Sequence, residues 1–561
     1  MTSHTSSGSP SMPRLATDRL AQPLSGRINR RTVLKGVAAG ATTPVLAGAS
    51  TFGFAERASA QDDMANTVVF AVEGSPPTFD PAGAGTDSRV DTPSINLYNA
   101  LVQHTLGTAD IEPELATEWE VSDDGLSYTF TLRDDVTFHD GTPLTSADVV
   151  YSFERLMALK RGSYRNIAAV TGVEAPDEQT VVLSLDAPFP ALVQALTRIY
   201  VVNSALVQAN EQDGDFGETW LNDHDAGSGP YVLTSFEPEQ QFTIERFPEY
   251  WKGWDGNHID RAIFRVIKEE SARRLALENA EVDWAMIGSV ETFNALVDNP
   301  DLQTFSDPTL NQLYFAFNQE SEYLRDLKVR EALSLVYDYN GHVEQARGGQ
   351  AEVARGPIPS AIPFFDEAMQ PSTMDIEAAR AALAESEYPE GGFSLEMIYQ
   401  GTSPEETTAV QIMQAGAAEL NIQIVPVAME WPAKVDTFSS PDTAMPMATI
   451  WIFPGYPDPE QYFYPLLDSA NIGNGGVNFS HFSTPETDAL IEQAAQETDE
   501  AARAELYKEL QEWWVANKPY MDIVVGYALS AARTWLQGYQ WSPTHSFTQN
   551  VYPMSLEGKG A

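Results

Sequence analysis

Between Leu115 and Phe153 the chain reads LATEWEVSDDGLSYTFTLRDDVTFHDGTPLTSADVVYSF, a stretch that admits few local structures. Asp123-Asp124-Gly125 is a turn signal, after which Tyr128, Phe130 and Leu132 alternate with Thr129 and Thr131, the period of a half-buried strand. His139-Asp140-Gly141 marks a second turn. Thr145 followed by Asp148 has the spacing of a capping box, with an acid shorter than the preferred Glu. Val149, Phe153, Leu156 and Met157 then fall on one apolar helical face. A strand, a turn and a capped helix account for all of these residues, and none of them suggests catalysis.

Strand-like and helical segments alternate through the rest of the chain. Thr67 to Ala71 and Thr180 to Leu185 read as strands, and Gly83 to Asp91 as a loop. Gly227-Ser228-Gly229-Pro230-Tyr231 reads as a break between domains. Phe393 to Tyr399 and Ile422 to Val427 flank a helical run near Val410–Leu420, the pattern of a βαβ unit in a mixed α/β sheet. Asp375 and Thr484 stand where N-caps belong, with Pro485 at a first helical position. Leu506, Leu510, Trp513 and Trp514 share an apolar face and are expected in the core.

Arg30-Arg31-Thr32-Val33-Leu34-Lys35 has the form of a twin-arginine export signal. The uncharged stretch Gly36 to Ala55 follows, and Ala58-Ser59-Ala60 fits a small-residue cleavage site. Twenty uncharged residues are also long enough to span a bilayer. Gly, Ala, Thr and Ser dominate them, however, and Pro44 interrupts, so residues 1–60 are expected to be a cleaved signal peptide. The chain has no cysteine, which excludes disulfides and attachment to lipid through a cysteine. The expected location is periplasmic or otherwise extracytoplasmic.

Residues 1–60 hold seven of the 33 basic and two of the 80 acidic residues, so residues 61–561 carry 26 against 78, a net of −52. Such a surface disfavours nucleic acid, whose phosphates need basic partners. The excess also suits a saline exterior, where screening relieves self-repulsion. Stability is then expected to rise between low and molar salt; a flat salt titration rules that adaptation out.

The Leu115–Phe153 arrangement resembles the family 5 extracellular solute-binding proteins of ABC importers, the dipeptide and oligopeptide binders. Four further segments are similar to that family, in its order: Val72-Glu73-Gly74-Ser75-Pro76-Pro77-Thr78-Phe79-Asp80-Pro81; Gly229-Pro230-Tyr231 with Arg246-Phe247-Pro248-Glu249-Tyr250-Trp251; Lys328-Val329-Arg330-Glu331-Ala332-Leu333; and Tyr456-Pro457-Asp458-Pro459. The resemblance implies an α/β, periplasmic-binding-protein-like (type II) fold of two lobes with an extra inserted domain. It implies domain I at roughly 61–100, 225–310 and 525–561, domain II, the insertion, at 101–224, and domain III at 311–524. The implied partners are a peptide or other small solute and the permease subunits of an ABC importer. A monomer without cofactor or metal is expected.

By the same resemblance the ligand-binding residues lie in Trp451 to Pro459. Peptide binders of the family place an aspartate three residues before the Asp-Pro pair, where it meets the peptide's α-ammonium group. That position here is Gly455, and the tryptophan is one place out of register, at Trp451. Either another acid takes over, with Asp458 or Asp87 the nearest, or the ligand lacks a cationic terminus. Asp458 before Pro459 also reads as a turn residue. Trp451, Phe453 and Tyr456 suit either cleft walls or core packing. Thr86 and Asp87 belong to a segment that lines the family's cleft, and also read as an exposed loop. Arg347 and Arg355 are either carboxylate receivers or solvated surface.

Oligosaccharide, chelated nickel and haem remain alternative ligands within the family. A secreted hydrolase is the rival class. The eight histidines show no metal-binding spacing, and no Gly-x-Ser-x-Gly elbow occurs, so no catalytic residue is assigned.

Overall fold

Tyr128, Phe130 and Leu132 all point into one core from the strand Ser127–Leu132. This strand lies second in a four-stranded antiparallel sheet, ordered Ala116–Val121, Ser127–Leu132, Thr180–Leu185, Val170–Asp177. The helix Ser146–Leu159 packs Val149, Phe153 and Leu156 against it. At its start the Asp148 carboxylate accepts the Thr145 N–H at 3.0 Å, the reciprocal half of the capping box. The structure is a computed structural model and describes residues 66–84, 87–438, 440, 442–473, 475–542 and 548–559. The export signal and Thr86 lie outside the described residues.

A second, larger sheet of mixed direction runs through the rest of the chain. Its order is Gln423–Ala428, Ser394–Tyr399, Met447–Ile452, Leu302–Phe317, Tyr520–Arg533, Trp284–Ile287, Thr67–Val72, Arg261–Val266, Gln241–Arg246, Tyr231–Glu237. Ser394–Tyr399 and Gln423–Ala428 pair in parallel across the helix Pro404–Ala418, the expected βαβ unit. That helix buries Val410, Met413 and Ala417 against Leu395, Met397 and Ile424, while Tyr314, Ile450, Phe463 and Trp514 belong to a different core cluster.

The two long central strands, Leu302–Phe317 and Tyr520–Arg533, tie the halves of this sheet together. Their antiparallel register runs from Leu302 opposite Arg533 to Pro308 opposite Tyr527, breaks, and resumes at Gln312 opposite Val525. Thr309 to Asn311 therefore face a single residue, Gly526, whose carbonyl accepts the Thr309 hydroxyl at 2.7 Å. A bulge of this kind bends both strands where the halves of the sheet meet.

Three sequence signals turn out to be junctions between the two sheets' surroundings. Asp80 receives both guanidinium nitrogens of buried Arg155 at 2.8 and 2.7 Å, clamping the helix Ser146–Leu159. His139, in the second turn, bonds Asp225 at 2.6 Å and the Gly229 carbonyl at 3.1 Å. Gly227 and Gly229 lie against the backbone of Leu97 so closely that a Cβ there would fall 1.7 and 2.5 Å from its atoms, which excludes any side chain.

Gly83 to Asp91, expected as a loop, contains the start of the helix Ser88–Leu97, with Asp87 as its N-cap. Pro93 and the polar run Asp91, Thr92, Ser94, Asn96 conceal it, because these side chains are buried by tertiary partners rather than by a face of aliphatic residues. Among the described residues no helix is long and apolar enough to cross a membrane.

Candidate ligand-binding site

The strand Met447–Ile452 is buried except at Trp451, which is half-buried. Beyond it the chain turns through Phe453 to Pro459 into the helix Glu460–Leu467. A cavity of about 840 Å³ opens on this turn. Trp431, Trp451, Phe453 and Tyr464 supply aromatic walls, and Arg165, Glu406, Lys434 and Glu460 supply charge. Trp431, Phe453 and Tyr464 are 40%, 53% and 44% exposed, far more than aromatic side chains in a core. The volume falls in the range of small-molecule clefts, roughly 300–1,000 Å³.

Trp451 is held on one side by the Arg347 guanidinium, 5.3 Å from its ring centroid. Arg347 is itself bound to Glu405 at 2.7 Å, and Arg355 donates to the carbonyls of Met369 and Glu367 at 3.1 and 3.0 Å. Both arginines thus have protein partners. Gly455 donates its N–H to the Gln461 side chain at 2.9 Å. Its φ lies outside the left-handed region, so the backbone does not require glycine. A Cβ there would stand 3.2 Å from Asn166 Oδ1 and 3.3 Å from Gln461 Oε1. The neighbouring Asn166 amide nitrogen is buried with no hydrogen-bond acceptor.

Tyr456 faces away from open space. It is 2% exposed, packs edge-on to Phe189 at 6.2 Å and donates its hydroxyl to Glu460 at 2.5 Å. Asp458 is buried as well, between the Arg503 guanidinium at 2.9 Å, the Tyr507 hydroxyl at 3.4 Å and the Glu460 N–H at 3.0 Å. Burial pushes its carboxyl up, and Arg503 pulls against that shift. Both carboxylate oxygens of Asp458 are thus engaged by protein donors. Asp87 lines a separate cavity of about 220 Å³ with Glu73, Arg89 and Trp284. Burial raises the Asp87 carboxyl, but the hydrogen bonds and charge of Arg89, 2.7 Å away, outweigh it and leave it lowered. The structure therefore groups Trp451 and Phe453 on one cavity, Gly455 beside it, Tyr456 and Asp458 beneath it, and Asp87 elsewhere.

Glu406 and Lys434 escaped the sequence reading. They form a buried pair at 3.3 Å, and Lys434 also donates to the Thr449 hydroxyl and carbonyl at 2.9 and 3.0 Å. Burial lowers the Lys434 ammonium's affinity for its proton, and Glu406 offsets this. Glu460 and Arg165 also went unnoticed. Glu460 directly follows the Asp458-Pro459 turn, yet one acid among 80 carries no signal of its own. Among the described residues no three side chains of metal-binding type gather together.

A mixed sheet joined through a pair of long strands, a separate four-stranded sheet and a solute-sized cavity are the features of a type II periplasmic-binding-protein-like fold. HbpA2 from Haemophilus parasuis has the same architecture, with a TM-score of 0.78 and 26% identity, covering 88% of this chain and 100% of that one. The model of the bacterial extracellular solute-binding proteins, family 5, matches residues 110–474, and the chain belongs to that family. Heme-binding protein A of Haemophilus influenzae is 29% identical over 550 residues, 92% of this chain and 98% of its own length. The probable D,D-dipeptide-binding periplasmic protein DdpA of Escherichia coli is 28% identical over 498 residues, 87% of this chain and 94% of its own.

Proposed function

We propose that this protein captures a short peptide or similar small solute in the Trp451–Phe453 cavity and delivers it to the membrane subunits of an ABC importer. One observation carries the reading: a cavity of about 840 Å³ with three large aromatic side chains left on show at its walls. Contiguous apolar surface of this kind marks a binding groove rather than an ordinary exterior. The family and the dipeptide-binding name of a relative support the solute class.

Capture on this reading is a population shift between open and closed lobes, driven by contacts that exist only when the lobes close. The bulge at Thr309–Asn311 opposite Gly526 is a suitable hinge, because it already interrupts the register of both connecting strands. It lies beside the expected boundaries at 310/311 and 524/525, which we retain with the 101–224 insertion. Export by the twin-arginine route, cleavage after residue 60, a periplasmic or otherwise extracytoplasmic monomer not lipid-anchored through cysteine and the absence of catalysis complete the proposal. ATP hydrolysis belongs to other subunits.

Titrating the purified protein with pooled short peptides, oligosaccharides, haemin and a nickel–histidine chelate tests this through tryptophan fluorescence. One class is expected to bind saturably at micromolar or tighter Kd and to be recovered chemically unchanged. Turnover of a bound solute, or no binding by any of the four, overturns the reading.

A further inference from the structure

Arg347 ends the helix Tyr339–Arg347, and its guanidinium lies where the cavity wall meets the long central strands. On one side is Trp451, the half-buried aromatic wall of the large cavity, with its ring centroid 5.3 Å away. Against the same guanidinium lies Gly526, the residue opposite the Thr309–Asn311 bulge. A Cβ on Gly526 would stand 2.6 Å from Arg347 Nη2 and 3.4 Å from the Trp451 ring. The next residue, Gly348, turns at a φ of +51°, so close to the helix Val290–Val297 that a Cβ would fall 2.3 Å from Val290 Cγ1. Ala351 then pairs with Gly526 itself. Residues 347–351 thus form a strap that touches Val290, the bulge and the cavity wall.

The guanidinium is fixed from behind. Arg347 Nε donates to Glu405 at 2.7 Å, and Glu405 also meets buried His342 at 3.3 Å, whose other ring nitrogen is 2.7 Å from the Tyr337 hydroxyl. Burial raises the Glu405 carboxyl, but the hydrogen bond of His342 and the charge of Arg347 outweigh it and leave it lowered. An ionised carboxylate holds the planar guanidinium in one orientation, ready to stack. The φ of Gly526 lies outside the left-handed region, so its backbone does not require glycine. What the missing side chain provides is room for Arg347.

We propose that Arg347 is a positioning residue that couples the cavity to the hinge: stacked on Trp451 and seated over Gly526, it makes a solute held against the Trp451 wall set the angle at which the lobes close. This rests on the solute-binding reading above and its hinge, and adds the side chain that joins them. On the boundaries retained there, Val290 belongs to the first lobe and Trp451 to the second, so the strap touches both. A solute shifts the equilibrium between open and closed forms only if it interacts differently with the two. Trp451 supplies that difference, because its ring meets the solute and the seated guanidinium together at one hinge angle.

The chain has no cysteine, so Asp298→Cys and Lys508→Cys, at exposed positions in the two lobes, carry a pair of spin labels without background. The distance between the labels is measured alone and with each of four probes: pooled short peptides, oligosaccharides, haemin and a nickel–histidine chelate. Affinity is measured on the same samples. Arg347→Met keeps an unbranched side chain and removes the guanidinium, and Gly526→Ala drives the guanidinium off its seat without removing a charge. Each is expected to weaken binding about 10-fold, within the usual range of coupling between sites, and to lose most of the solute-induced change in distance. Once Arg347 is gone the Cβ at 526 has only an ordinary contact with Trp451, so the double variant is expected to be no worse than either single one. Arg355→Gln, which removes bonds to the Met369 and Glu367 carbonyls alone, is expected to close as the parent does. A merely structural role for Arg347 would lower thermal stability and leave the change in distance intact. That result, or losses that add in the double variant, overturns the coupling. Binding without any change of distance in the parent also overturns it and leaves solute capture standing. No binding by any of the four probes overturns both.

Discussion

Asp458→Ala is expected to destabilise the protein by about 3–5 kcal/mol, because it leaves a buried guanidinium without its counter-ion. Arg503 lies 2.9 Å from Asp458, and its side chain is only 7% exposed. It also donates to the Ala494 carbonyl at 3.1 Å and the Tyr507 hydroxyl at 3.3 Å and lies over the rings of Phe364 and Tyr507, 5.3 and 5.2 Å from the guanidinium carbon, and none of these groups carries the missing charge. Replacing both partners with apolar residues removes the stranded charge, so Asp458→Leu with Arg503→Met is expected to recover much of the loss. Urea unfolding of the two single variants and the double variant, with solute affinity measured on the folded protein, checks both points. Affinity should change less than about threefold, since the solvation of Asp458 is settled by the protein alone. Unchanged stability with a collapse of affinity would instead make Asp458 a ligand contact.

This prediction turns on a residue whose role was half legible in the sequence. Asp458 before Pro459 reads as a turn residue, and it does bond the Glu460 N–H at 3.0 Å. Arg503, 45 residues later, leaves no local trace of its part in the pair. Local rules served well wherever the partner is near in sequence. The caps at Asp375 and Thr484 bond the backbone three residues on, and the Tyr128–Leu132 alternation buries the expected face. They failed at Ser88–Leu97, where Asn96 is buried because its side chain bonds the Gln549 carbonyl and the Val551 N–H across the fold. The cavity shows the same division. Trp451 and Phe453 follow a buried strand and reach open space, and Tyr456, equally aromatic, is buried by Phe189 from another part of the chain.

Asp522→Asn is expected to make the protein more stable than the parent chain at pH 8, and to lose that advantage at pH 4. Asp522 stands on the long strand Tyr520–Arg533, 8% exposed, opposite Tyr314 and bonded to the Trp514 indole N–H at 2.9 Å. Tyr520 stacks on Trp514 at 5.1 Å and completes an aromatic surround. Burial pushes the Asp522 carboxyl up to about 7, against the opposing charge of Lys518 and the Trp514 hydrogen bond. In the unfolded chain the same group titrates near 3.8. Between these values the folded state holds one proton more than the unfolded state, so stability falls as pH rises, by about 1.4 kcal/mol per unit and roughly 4 kcal/mol in all. Asparagine has no proton to lose and keeps an acceptor for the indole. His104 works in the opposite sense. Burial pushes its imidazole down to about 4, so this group adds stability as pH rises from 4 to 6.5. In the parent chain the two slopes nearly cancel over that window, and removing Asp522 unmasks the histidine's. The general self-repulsion of an acidic surface is common to both proteins and drops out of their difference. Unfolding free energies of parent and variant at pH 4, 5, 6, 7 and 8 should therefore diverge progressively with pH. A difference that stays constant across the series means that Asp522 is ionised in the folded protein throughout, with its charge compensated by the surrounding structure.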